Sequence, residues 1–221
     1  MAYVPLADQE QELHHPHSWV TKYVFSQDHK VIAIQYGSVA LAVGLVALVL
    51  SVLLRMLLGF PETFSLIVPS SCFQAVTMHG MILVVCLRTA RLLGGFGNYV
   101  LALLCGARDM EYPYLNMLTF RVYLVTVIIL MISFFVPGGP TGAGWTLYPP
   151  QVSMAGTPGN DWGIMFMLAS LAVFIVAFTM GGLNYVTTVL QARCRGLTMM
   201  RLPLSVWGIF VATVLGLFAF P

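Results

Sequence analysis

The stretch Trp162–Leu190, WGIMFMLASLAVFIVAFTMGGLNYVTTVL, contains no Asp, Glu, Lys or Arg. A bilayer core about 30 Å thick is crossed by roughly 20 apolar residues in an α-helix. Only a helix can satisfy every backbone N–H and C=O of such a run without water. The segment therefore reads as a transmembrane helix, and four further segments of comparable character stand beside it, at 31–58, 72–93, 117–136 and 202–221. Composition agrees: 59% of the 221 residues are hydrophobic and 8% charged, with a mean hydropathy of +0.88, which excludes a soluble globular domain. The expected fold is all-α, a polytopic transmembrane bundle of five spans forming one membrane domain, 19–221, behind a polar tail, 1–18. The last span is still apolar at Pro221, which reads as an interrupted chain, since a final span is usually followed by a polar anchor.

Charge is informative by position. Lys22 and Lys30 precede the first span, Arg91 and Arg108 lie between the second and third with Arg88 and Arg121 at the flanks, and Arg193, Arg195 and Arg201 lie between the fourth and fifth. The links 59–71 and 137–161 carry no Lys or Arg, and Arg55 closes the first span. The excess of basic residues in cytoplasmic links places the N-terminus and both Arg-bearing links inside. A formal charge of +2 is too small and dispersed for a nucleic-acid partner. Asp8, Glu10 and Glu12 precede any apolar core, so the N-terminus does not read as a signal peptide. His14, His15 and His17 read as part of a solvated tail, and Cys72, Cys86, Cys105 and Cys194 have neither CxxC nor zinc-finger spacing.

Few residues in the spans can carry chemistry. His79 is the histidine inside a span, and an ionisable side chain at that depth is a functional candidate by default. A neutral imidazole suits haem iron as an axial ligand, or it can hydrogen-bond a neighbouring helix. Gly80 beside it leaves room for a flat macrocycle. Asp109, in GARDMEYPYLN, sits at the inner end, where a carboxylate either collects protons or pairs with Arg108. Asn98, Asn116 and Asn184 suit ordered water, although an amide such as Asn184 also serves to join helices. Arg55 can snorkel to the interface.

Taken in order, QDHKVIAIQY (27–36), TMHG (77–80), GGFGNYVLALLCGARDMEYPYLN (94–116), FFVPGGPTGAGWTLYPP (134–150) and TMGGLNYVTTVLQARCRG (179–196) resemble the first five helices of subunit I of the haem-copper terminal oxidases, the cytochrome c oxidase type. The likeness runs from about Trp19 to the last residue. It implies that His79 is an axial ligand of low-spin haem a, that Arg55 lies near its formyl group, and that Trp145 and Tyr148 cover its edge from the outer loop. It implies a proton-uptake role for Asp109, with Asn98, Asn116 and Asn184 along a water path.

The chain departs from the family pattern at Glu111 and Tyr114, at Val85 and Cys86, at Arg88 and Arg91, and at Ala177 and Phe178 in place of path-lining serines. An Arg88 near mid-membrane would cost roughly 3 kcal/mol unless it meets water or a carboxylate, and Glu111 is the expected partner. The second haem a ligand, the high-spin haem ligand and the copper ligands come in the family from helices six to ten of a twelve-helix fold. The resemblance thus implies no catalytic residues in this chain alone, no copper bound by it, and a shared haem of the a type. The expected function is the N-terminal portion of a proton-translocating, oxygen-reducing subunit I in a prokaryotic inner membrane. Its expected partners are other respiratory subunits, the lipid bilayer and, through the complex, cytochrome c or quinol. The alternative is a non-catalytic, subunit-I-like structural subunit of a larger electron-transfer complex.

Overall fold

The computed structural model describes residues 19–62 and 69–219. The histidines of the polar tail, most of the link between the first two spans and the end of the fifth lie outside the described residues. A short helix, α1 (Trp19–Tyr23), leads into α2 (His29–Gly59), whose N-cap Asp28 accepts a 2.8 Å hydrogen bond from the Lys30 N–H. The second span is composite: α3 (Pro69–Met81), a π-helical segment (Ile82–Gly97) and α4 (Asn98–Cys105), stopped by Gly106 at φ +66°. Then come α5 (Pro113–Ile132), with proline in its first turn, α6 (Trp162–Gln191) and α7 (Leu204–Ala219). No strand occurs among the described residues. Four of these helices are long and apolar enough to cross a membrane, and α7 is a shorter apolar helix.

Packing follows small residues. Tyr36, Ala40, Val43 and Ala47 form the buried stripe of α2, facing Met78, Met81, Ile82, Cys86 and Ala90 of the second span. The alanines let the two backbones approach closely, which in a bilayer replaces the hydrophobic drive that lipid removes. Helix α6 packs along α5 on one side and α7 on the other. One end of the bundle gathers the Arg-bearing links: His29 meets Asp109, and Cys194 N–H donates to the Cys105 carbonyl at 3.0 Å. The opposite end gathers Gln74 on the Gly138 carbonyl and Thr77 beneath the Gly144 N–H.

Two boundaries differ from the hydropathy reading. The second span does not stop at Leu93 but continues to Cys105. Glycines at 94, 95 and 97 read as a link, yet they belong to the helix, with aromatic rings against Gly94 and Gly97 and the α2 backbone against Gly95. A β-carbon at Gly94 would sit 2.5 Å from Tyr36 Cδ1, and one at Gly97 would meet Tyr185 at 3.2 Å. The third helix begins at Pro113 and ends at Ile132, after which the chain turns.

The π-helical winding was not expected. Its looser turns show in Thr89, whose hydroxyl reaches back five residues to the Val84 carbonyl at 3.0 Å. Tyr123 and Tyr185 donate to the carbonyls of Cys86 and Leu93 within the same segment. The expected pairing of Arg88 with Glu111 does not occur among the described residues. Roughly 20 Å of helix axis separates them, because the span continues through α4 before the chain turns. Arg88 is exposed on the bundle's outer surface.

Gly94→Ala is expected to destabilise the bundle by about 1–3 kcal/mol through the Tyr36 ring, since the backbone there is already in contact. Gly37→Ala, with nothing within 4 Å of its new methyl group, is the matched control and should be neutral or stabilising. Unfolding of the purified protein in detergent as denaturant rises distinguishes them.

Candidate functional site

The imidazole of His79 stands at the end of α3, one residue before Gly80. Its Nδ1 lies 2.9 Å from the Ala47 carbonyl oxygen of α2. A carbonyl only accepts, so Nδ1 carries a proton, and in the neutral imidazole the lone pair is then on Nε2. This is the second-sphere arrangement that orients a ligating histidine and raises its basicity. The ring lines an apolar groove between α2 and the second span, with Leu41, Gly44, Leu45 and Leu48 on one wall and Leu83 and Leu87 on the other. Ser51 and Arg91 are its polar members.

Arg55 follows Ser51 by four residues and Leu48 by seven, so it continues the groove-facing stripe toward the C-terminal end of α2, where it is exposed. Gly80 has a different neighbour from the one its position suggests: a β-carbon there would sit 2.8 Å from Trp145 Cδ1, so the indole occupies that side of the helix. Tyr148, in the same loop, is 74% exposed. The structure thus brings Trp145 to the histidine turn, while the Tyr148 ring is largely exposed.

On the opposite face of the second span is a cavity of about 50 Å³, lined by Tyr36, Asn98, Asn116, Thr119, Tyr123 and Gly181, with Ala177 and Phe178 among its apolar walls. Asn116 is 1% exposed, and neither its Nδ2 nor its Oδ1 has a protein partner; Asn98 Oδ1 is also unpartnered, although its Nδ2 donates to the Gly94 carbonyl at 2.7 Å. Buried amides are normally satisfied. The volume has room for about three waters at 10–15 Å³ each, and the amides supply their hydrogen bonds.

Asn184 is placed elsewhere. Its Oδ1 accepts from the Tyr112 N–H at 3.0 Å and its Nδ2 donates to the Tyr112 carbonyl at 3.3 Å, while Thr188 Oγ1 accepts from the Glu111 N–H at 3.0 Å. These side chains of α6 hold the turn between α4 and α5. Asp109 sits in that turn. Its Oδ1 accepts from the Met110 N–H at 2.7 Å and lies 3.0 Å from His29 Nδ1, so the partner of the carboxylate is His29, not Arg108.

His29 is the residue that sequence reasoning missed. It is 3% exposed and its Nε2 has no partner. Eighty positions separate it from Asp109 in the chain, so no local spacing points to the pair. The available signal was topological: the charge pattern puts both at the same end of the bundle. Among the described residues no group of three or more His, Cys, Asp or Glu could hold a metal ion, so a metal at His79 would depend on a single donor here.

A polytopic helical membrane bundle, with a pre-oriented imidazole in an apolar groove and a cavity holding unpartnered asparagine amides behind the same helix, is the class these features define. Residues 31–221 match the family described as Cytochrome C and Quinol oxidase polypeptide I. The chain is 65% identical over its whole length to the alternative cytochrome c oxidase subunit 1 of Bradyrhizobium diazoefficiens, covering 38% of that protein. It is 34% identical over 92% of its length to the heme-copper oxidase subunit I+III of Aeropyrum pernix, covering 24%, and 34% identical over 92% to cytochrome c oxidase subunit 1 of Eremothecium gossypii, covering 38%. The chain therefore belongs to the subunit I family of the cytochrome c and quinol oxidases. It spans well under half the length of these relatives.

Replacing Asn184 by Ala leaves the Tyr112 N–H without its acceptor, while the Tyr112 carbonyl keeps the Asn116 N–H at 3.0 Å, and a loss of about 1–3 kcal/mol is expected in detergent unfolding. Thr188→Val removes the one acceptor at Glu111 and should cost less, about 1 kcal/mol.

Proposed function

We propose that this chain binds low-spin haem of the a type through His79 and assists proton uptake through Asp109, within an oxygen-reducing, proton-translocating complex. The observation that carries the reading is the His79–Ala47 hydrogen bond, which leaves Nε2 bare toward an apolar groove. The residues fit a planar iron macrocycle: leucines on both walls exclude water, and a single neutral imidazole projects between them. When bound, the haem would supply one-electron redox chemistry. What the chain itself does is hold the ligand nitrogen in one tautomer, keep the groove dry, and set a cation, Arg55, at its outer end. Arg55 would raise the potential of a nearby cofactor by favouring its reduced, less positive state. Gly80 and Trp145 would shape the wall at the histidine turn, with Tyr148 in the loop above.

The relatives' names concern whole oxidase subunits, and the remaining steps rest on that family. The second axial ligand and the copper and high-spin haem ligands would come from outside residues 1–221, with cytochrome c or quinol as the electron source. The Arg-bearing end would face the cytoplasm of a prokaryotic cell. Asp109, beside His29 and at the foot of the second span, would take protons there, and Asn98 and Asn116 would order water in the cavity above. Asn184 would support this path indirectly, by fixing the turn that carries Asp109.

His79→Ala in the assembled complex should abolish the low-spin haem absorption and lower haem content per complex. An unchanged low-spin spectrum would overturn the assignment. Asp109→Asn should leave that spectrum intact while slowing turnover by at least about a hundredfold, the usual contribution of a positioned proton donor. His29→Ala should produce a smaller loss of the same kind. Stopped-flow spectroscopy reads each of these changes.

A further inference from the structure

Two of the four cysteines meet at the Arg-bearing end of the bundle. Cys105 is the last residue of α4 and is buried; Cys194 is exposed, in the link between α6 and α7, and both are free thiols. The Cys194 N–H donates to the Cys105 carbonyl at 3.0 Å, which holds their α-carbons within about 6.5 Å of each other. That separation lies inside the range a disulfide can bridge. The side chain of Cys194 turns onto the end of α4: its Cβ and Sγ each lie 3.0 Å from where a β-carbon of Gly106 would be. Gly106, at φ +66°, is both the helix stop and the space that admits the second thiol.

We propose that Cys105 and Cys194 form a reversible redox-sensitive thiol pair, oxidised to a disulfide by a hydroperoxide. The exposed Cys194 is the side chain that meets the oxidant. Its thiolate attacks one peroxide oxygen, the O–O bond breaks, and Cys194 becomes a sulfenic acid as the first water leaves. Cys105 then attacks the Cys194 sulfur, the S–S bond forms, and the S–O bond breaks to release the second water. Two thiols give up two electrons and two protons, and hydrogen peroxide takes up both. A dithiol reductant reverses the change by exchange. The bridge would add a covalent link where the backbone hydrogen bond already joins the end of the second span to the link before α7. Cys72, at the opposite end of the bundle, and Cys86, buried at mid-span, have no such neighbour to resolve an oxidised sulfur.

The test treats the purified complex with hydrogen peroxide, blocks remaining thiols with N-ethylmaleimide, and maps the digested peptides by mass. The expected result is a cross-linked pair of peptides containing Cys105 and Cys194, lighter by two hydrogens, with alkylation of Cys194 slowed by at least about tenfold. Dithiothreitol restores both thiols, and Cys194→Ser, a change at an exposed position, abolishes the cross-link while Cys105 stays reduced. Independent alkylation of both thiols after peroxide, or conversion of Cys194 to sulfinic acid without a cross-link, overturns the proposal.

Discussion

A polar group carried into hydrocarbon must find its partner within the protein, and that constraint organises this bundle more than any apolar contact does. Lipid solvates leucine as well as another helix does, so the spans are held together by close approach and by polar side chains that reach across to a neighbouring backbone. Ser170 donates to the Thr126 carbonyl, joining α6 to α5; Tyr123 donates to Cys86, joining α5 to the second span; Tyr185 donates to Leu93, joining α6 to it; His79 donates to Ala47, joining it to α2. Three of these bonds tie elements that follow one another in the chain, and the Tyr185 bond ties α6 to the second span across the intervening α5.

The exceptions carry the functional reading. Asn98 and Asn116 sit among the same helices with amide atoms that no protein group meets, and they face one cavity. An unmet amide in such surroundings costs about 1–3 kcal/mol, more than a spare Leu or Ala would, so its presence is an energetic penalty that a packing role does not explain. Asn184 shows what the same residue does when used for structure: both ends of its amide are engaged, on one residue's N–H and C=O. Residue type alone does not separate the two uses, whereas hydrogen-bond accounting does.

That distinction also marks how far the sequence could be read. The five apolar helices, four of them of membrane-crossing length among the described residues, and the sharing of one end by the basic links follow from hydropathy and charge, because insertion into a bilayer is decided by those quantities locally. The extension of the second span through Gly94, Gly95 and Gly97 does not, since a glycine run reads as a break until Tyr36 and Tyr185 are known to lie against it. The π-helical winding was equally hidden, and two of its carbonyls accept from tyrosine hydroxyls supplied by α5 and α6. His79 and Asp109 stood out as ionisable groups in or beside apolar runs. The role of His29 required a partner eighty positions away, and the use of Gly80 required knowing where the indole of Trp145 falls.

The looser winding of the second span bears on how one helix serves two compartments. It presents Leu83, Leu87 and Arg91 to the groove that holds the His79 ring, and Thr89, Ala90, Leu93 and Gly94 to the cavity on its other side. The helix is thus a wall one backbone thick, with the His79 groove on one face and the asparagine-bearing cavity on the other, and two of its carbonyls accept from Tyr123 and Tyr185 on the cavity side. A charge change in the groove would be felt across that wall, since few polarisable groups and no bulk water lie between. Because Tyr36 packs on Gly94 while its own helix supplies the Ala47 carbonyl to His79, any shift of α2 moves the imidazole and the cavity lining together. Proposed electron and proton sites that share one helix wall and one packing partner are mechanically and electrostatically coupled without a moving part between them.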